Sequence, residues 1–95
     1  MGIQDIQPAA PVHVLIIPKK HIPSINEVEN DDFALIGELH RVAQGLAKKL
    51  DIAESGYRLI NNCGKDGEQS VDHLHYHLLG GKKLGRLVQD SNSHA

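Results

Sequence analysis

His73, His75 and His77 alternate with Leu74 and Tyr76. Successive side chains of a strand point to opposite faces, so the three imidazoles should share one face, roughly 6 to 7 Å from one to the next. Leu74, Tyr76 and Leu78 take the other face and suit a core. The sharpest chemistry open to such a row is nucleophilic catalysis. Neutral imidazole is a good nucleophile near physiological pH, and neighbouring polar groups can fix its tautomer. Clustered imidazoles also oppose one another's protonation, which helps keep an attacking ring neutral. Two plainer readings compete. One is a half-buried strand with incidental histidines. The other is a zinc site, although no second His/Cys cluster at structural spacing accompanies the row.

The elements that must position this row can be read outward from it. Val71 to Leu79 forms the strand that carries it, closed by Gly80-Gly81. Val12 to Ile17 is β-branched and apolar and forms another strand, ended by Pro18. Pro18 to Pro23 is a loop, because each proline biases its preceding residue away from helix. Ser24 and Glu27 match a capping box over one short turn. The main helix runs from Asp31 to Lys49, capped by Asn30 or Asp31, with Leu35, Leu39, Val42, Leu46 and Leu50 as its apolar stripe. Gly37 and Gly45 weaken it and are expected to let it approach a sheet. Tyr57 to Ile60 is a strand, and Asn61 to Ser70 is a polar loop containing Gly64 and Gly67. The fold class is α+β: an antiparallel sheet of about three strands backed by one main helix.

Composition bounds the function. Ninety-five residues make one small domain with a single core, here 1–85, followed by a polar tail over 86–95. Net charge of −2 gives no basic footprint for nucleic acid. The apolar runs are too short to span a bilayer, and the start lacks the apolar core of a signal peptide. Cys63 is the single cysteine, which points to an intracellular, cytoplasmic protein.

Residues Gln69 to Gly81, QSVDHLHYHLLGG, resemble the signature of the histidine triad superfamily, His-φ-His-φ-His-φ-φ with φ apolar. Asp5 to His13 (DIQPAAPVH) and Ile17 to Ile22 (IPKKHI) are similar to its Hint branch, the purine nucleoside phosphoramidases. The similarity runs from about Asp5 to Gly81. It implies that His75 attacks the α-phosphorus of an adenylated amine and forms a nucleotidyl-histidine intermediate. His73 and His77 would orient His75 and handle protons, with His13 supporting them as a fourth histidine. Asn62 and Ser70 would contact phosphate and leaving group, and Asp5 the ribose hydroxyls. The resemblance further implies purine nucleoside monophosphate derivatives as ligands, a homodimer, and no cofactor or metal. His21, His40 and His94 receive no role.

The chain departs from the family pattern at several points. A helix and two strands normally precede the position of Asp5 and supply much of the base pocket; most of this is expected to be missing, with Gly2, Ile3 and Gln4 in place of the last strand's end. The Val12–Ile17 strand is therefore expected to present an unpaired edge. Glu68 and Asp72 stand where Gly and Tyr are common, adding negative charge near a phosphate site. The alternative function is a catalytically weak nucleotide-binding or interaction module on the same scaffold.

Overall fold

A computed structural model describes residues 2–4, as backbone, and residues 9–86. Four strands, β1 (Gly2–Gln4), β2 (Val12–Ile16), β3 (Tyr57–Asn61) and β4 (Tyr76–Gly80), form one antiparallel sheet in the order β1-β2-β4-β3. A single helix, α1 (Phe33–Lys49), follows two short 3-10 turns at Ile25–Glu27 and Asn30–Asp32. The α+β class and main helix are as expected, and the sheet gains a fourth strand. Gly2 pairs with Ile16 and Gln4 with Val14, so β2 is an interior strand and its expected open edge is covered.

The strand carrying the histidines is shorter than its apolar alternation predicts. Regular pairing begins only at Tyr76, opposite Ile16 on one side and Asn61 on the other. Before it, residues 71–75 dock on the Pro18–Pro23 loop. The N–H of Leu74 reaches the carbonyl of Ile22 at 2.6 Å, and the N–H of His73 turns back to Val71 at 2.8 Å. Backbone donors satisfied by a loop in this way have no need of a ladder.

One face of the sheet packs on α1. Val14, Ile16, Tyr76 and Leu78 join Leu39, Ala43, Ala47, Ile22, Ile52 and Leu74 in the core. The deepest helix positions are alanines, Ala43 at 2% and Ala47 at 0% exposure, while Leu35, Val42 and Leu46 flank them half-buried. Leu50, the expected end of the stripe, is 37% exposed. The close approach thus comes from these small side chains. Gly37 and Gly45 are exposed, with nothing within 4 Å of an added Cβ, and do not face the sheet.

Ser24 caps its short turn as its spacing suggests, accepting from the N–H of Asn26 and donating to Glu27. Asp32 stands at the start of α1 in place of Asn30 or Asp31, but without a side-chain bond to the helix. Its carboxylate instead accepts from Lys20 at 2.6 Å and from the N–H of Glu29 at 3.2 Å. These bonds hold Asp32 below the ordinary carboxylate range and raise Lys20 above the ordinary lysine value. They also tie the Pro18–Pro23 loop to the helix start.

Candidate active site

Residues directly opposed in an antiparallel sheet share a face. Leu15 and Ile60 flank His77, and His13 opposes Leu79, so these side chains lie on the face away from α1. His73 and His75 precede β4, yet burial still alternates: Leu74, Tyr76 and Leu78 are buried and His73, His75 and His77 are half-buried. The rings of His75 and His77 meet edge-on with centroids 5.1 Å apart. His73 and His75 together line a hollow of about 140 Å³ whose other walls are Leu15, Ile17 and Val71. The row therefore stays on one side of the chain although only its last member belongs to the strand.

Hydrogen bonds assign the tautomers. Nδ1 of His75 lies 2.7 Å from the carbonyl oxygen of His73. A carbonyl only accepts, so Nδ1–H donates and the proton-free nitrogen of the neutral ring is Nε2. Nδ1 of His13 accepts the backbone N–H of Ala9 at 2.9 Å, which places the proton of that neutral ring on Nε2. That nitrogen lies 2.8 Å from Nδ1 of His77, so His13 donates and a neutral His77 carries its own proton on Nε2. Nε2–H of His73 donates to the carbonyl of Pro18 at 3.3 Å. The result is a ring with a free nucleophilic nitrogen next to a ring with a transferable proton.

The remaining expected residues fall at different distances from this row. Asn62 donates its amide to the carbonyl of Gly67 at 2.7 Å and so closes the Asn61–Ser70 loop. Ser70 is exposed and lines a second hollow, of about 400 Å³, with Gly64, Lys65, Glu68, Gln69 and Asp72. Val71 lines the histidine hollow, so the two hollows flank that residue. Among the described residues Ser70 has no hydrogen bond to the four histidines. Asp5 lies outside the described residues, as does His94. The loop's backbone donors are partly committed inward. The N–H of Gly64 is taken by Gln69 Oε1, that of Glu68 by Lys65, and that of Gln69 by Gly64, so these three are not aimed at a ligand. Gly67 is required here, since an added Cβ would fall 2.9 Å from the Cys63 nitrogen and nearer still to its carbonyl oxygen.

Two histidines given no role turn out to touch the site's surroundings. His21 packs edge-on against His73 with centroids 4.8 Å apart, and His40 packs edge-on against Tyr76 at 5.2 Å. Burial pushes the Tyr76 hydroxyl upward. Gln69 also holds three segments together, and no periodicity could have signalled it. Among the described residues no group of three or more His, Cys, Asp or Glu side chains is arranged to hold a metal ion. No helix among them is long and apolar enough to cross a membrane.

A small antiparallel sheet with a helix on one face and coupled imidazoles on the other is the architecture of a histidine-triad domain. The match to the HIT domain family covers residues 2–84, and the chain belongs to that family. It is 51% identical over 86 residues to an uncharacterized HIT-like protein of Chlamydia trachomatis, spanning 90% of this chain and 77% of that protein. It is 46% identical over 87 residues to the purine nucleoside phosphoramidase of Escherichia coli, spanning 92% and 73%. Among solved structures, a HIT family hydrolase from Clostridium thermocellum is similar with a TM-score of 0.88 at 51% identity, covering 93% of this chain and 76% of that one. A histidine triad protein from Clostridium difficile gives 0.88 at 41% identity, covering 92% and 76%.

Proposed function

We propose that the chain is a nucleotide hydrolase of the purine nucleoside phosphoramidase type, acting on adenosine 5′-phosphoramidates and aminoacyl-adenylates through a nucleotidyl-histidine intermediate. The observation that carries the proposal is the 2.7 Å bond from Nδ1–H of His75 to the His73 carbonyl, which reserves the lone pair of Nε2 for attack. Nε2 attacks the α-phosphorus and the P–N bond of a phosphoramidate breaks, leaving its electron pair on nitrogen; in an aminoacyl-adenylate the P–O bond breaks instead and the carboxylate leaves with the pair. One proton, drawn from solvent through Nε2 of His77, lets that nitrogen depart as an amine. Water then attacks phosphorus, the P–Nε2 bond breaks, its electron pair returns to His75, and the water's proton leaves through the same neighbouring ring.

In this reading Ser70 and Asn62 sit beside phosphate and leaving group, Asp5 holds the ribose hydroxyls, and no metal takes part. The similarity to the Escherichia coli phosphoramidase supports the substrate class. His75→Ala should abolish turnover of an adenosine phosphoramidate, and quenched wild-type protein should carry a nucleotide on His75 by mass spectrometry. EDTA should leave the rate unchanged. Undiminished turnover by His75→Ala would overturn the proposal, as would chelator-sensitive activity with stoichiometric zinc. A homodimer in the cytoplasm belongs to the same proposal; a folded monomer by light scattering at micromolar concentration would remove the dimer from it.

A further inference from the structure

The backbone carbonyl that fixes His75 belongs to a segment outside the sheet, so the ladder does not hold it. Residues 71–75 rest on the Pro18–Pro23 loop through the N–H of Leu74 and the ring of His73. One side chain spans this junction. The amide nitrogen of Gln69 donates to the carbonyl of Pro23 at 2.7 Å and to that of Val71 at 3.0 Å. Its Oε1 accepts the N–H of Gly64 at 2.9 Å. Both amide hydrogens and the oxygen are thus engaged, each on a different stretch of backbone.

We propose that Gln69 is a positioning residue for His75: its amide clamps residues 71–75 to the Pro18–Pro23 loop and so holds the His73 carbonyl where it orients the His75 ring. The inference rests on His75 being the nucleophile, but its geometry can be read without turnover. Carbonyls accept and never donate, so only a donor pair can join Pro23 to Val71. A carboxylate at position 69 keeps the shape and the bond to Gly64 but turns two attractions into lone-pair repulsions. Small displacements of a nucleophile cost rate more than binding.

Gln69→Glu should lower kcat on the order of tenfold or more with KM changed less than about threefold, since the lost element is alignment and not contact with substrate. In the ligand-free protein, 15N-resolved imidazole spectra of wild type should show a protected Nδ1–H on His75. That signal should broaden or vanish in Gln69→Glu while α1 amide shifts stay in place. Gln69→Asn retains the donors on a shorter stem and should fall between the two, which keeps the test open if the glutamate variant fails to fold. A variant with an intact His75 Nδ1–H signal would overturn the clamp. So would a kcat within twofold of wild type in a hydrolysing protein. An inactive wild type whose His75 signal still depends on Gln69 would count against the hydrolase reading and leave the clamp standing.

Discussion

Nε2 of His13 and Nδ1 of His77 stand 2.8 Å apart across 64 residues of sequence. His13 opposes Leu79 and His77 opposes Leu15, so the two rings meet on a diagonal of one sheet face. The contact exists only because β2 and β4 are neighbours in this register. A slip of one residue in either strand would turn that strand's ring to the core side and break the contact.

That pair should behave as one unit in kinetics. His77→Ala is expected to cost on the order of a hundredfold in kcat, as loss of a proton-handling group does. His13→Ala should cost about tenfold, because it acts through the orientation of His77. The double variant should be no slower than His77→Ala alone. Steady-state rates on an adenosine phosphoramidate decide it; losses that multiply would mean the rings work separately.

Acid should weaken the fold through Asp32. Its folded pKa lies below the unfolded value, first because Lys20 bonds to it and then because Glu29 does. The unfolded chain therefore binds more protons, and stability rises with pH through this range. The contribution is present above the unfolded carboxylate value, about 3.9, and is lost as pH falls through the lower folded one. Lys20 mirrors this in alkali, where its raised pKa means stability lost as pH rises through the folded value. Urea midpoints measured from acid to neutral pH should fall less steeply with acidification in Lys20→Met than in wild type. Equal slopes would mean the contact contributes nothing.

Local pattern was enough for the features that depend on local pattern. The period-two row predicted the alternation of half-buried histidines with Leu74, Tyr76 and Leu78, and the helical period predicted α1. What remained hidden depends on partners distant in sequence. Val71 to His75 carries the same alternation as a strand, yet the N–H of Leu74 is taken by Ile22, some fifty residues earlier, and that of His73 by Val71 close by. The edge of β2 is covered by three residues too few to read as a strand. Ala43 and Ala47 fall outside a stripe drawn through the largest apolar side chains, whereas a helix pressed on a sheet needs its smallest ones at the centre. The resemblance supplied His13 as the fourth ring, but its bond to Ala9 is visible only in three dimensions.

The helix offers a paired test of that packing. Gly45 faces open space, so Gly45→Ala should stabilise by up to about 1 kcal/mol through helix propensity alone. Ala47 is fully buried, so Ala47→Leu forces three extra carbons into a closed interface and should destabilise by about 1–3 kcal/mol. Denaturant midpoints with unchanged m-values would establish both; a tolerated leucine would mean the interface can open.

Glu68 joins backbone strain and a negative side-chain charge at one position. Its φ of 62° is in the left-handed region, which costs a side chain with a Cβ about 1–2 kcal/mol. It also lines the hollow that holds Lys65, Ser70 and Asp72, beside the histidine hollow at Val71. Glu68→Gly removes both the strain and the charge. The glycine also loosens the unfolded chain by about 0.4–1 kcal/mol, so a net gain of about 0.5–1 kcal/mol in stability is expected. The lost negative charge should lower KM for an anionic nucleotide substrate by about twofold at low salt, an effect that fades as the Debye length shrinks to about 3 Å near 1 M salt. Glu68→Gln separates the two effects, because it keeps the strained side chain and discards the charge. It should match Glu68→Gly in KM and wild type in stability. Equal stability for all three proteins would show that the loop relieves its own strain. A KM indifferent to charge at low salt would place the substrate's phosphate away from Glu68.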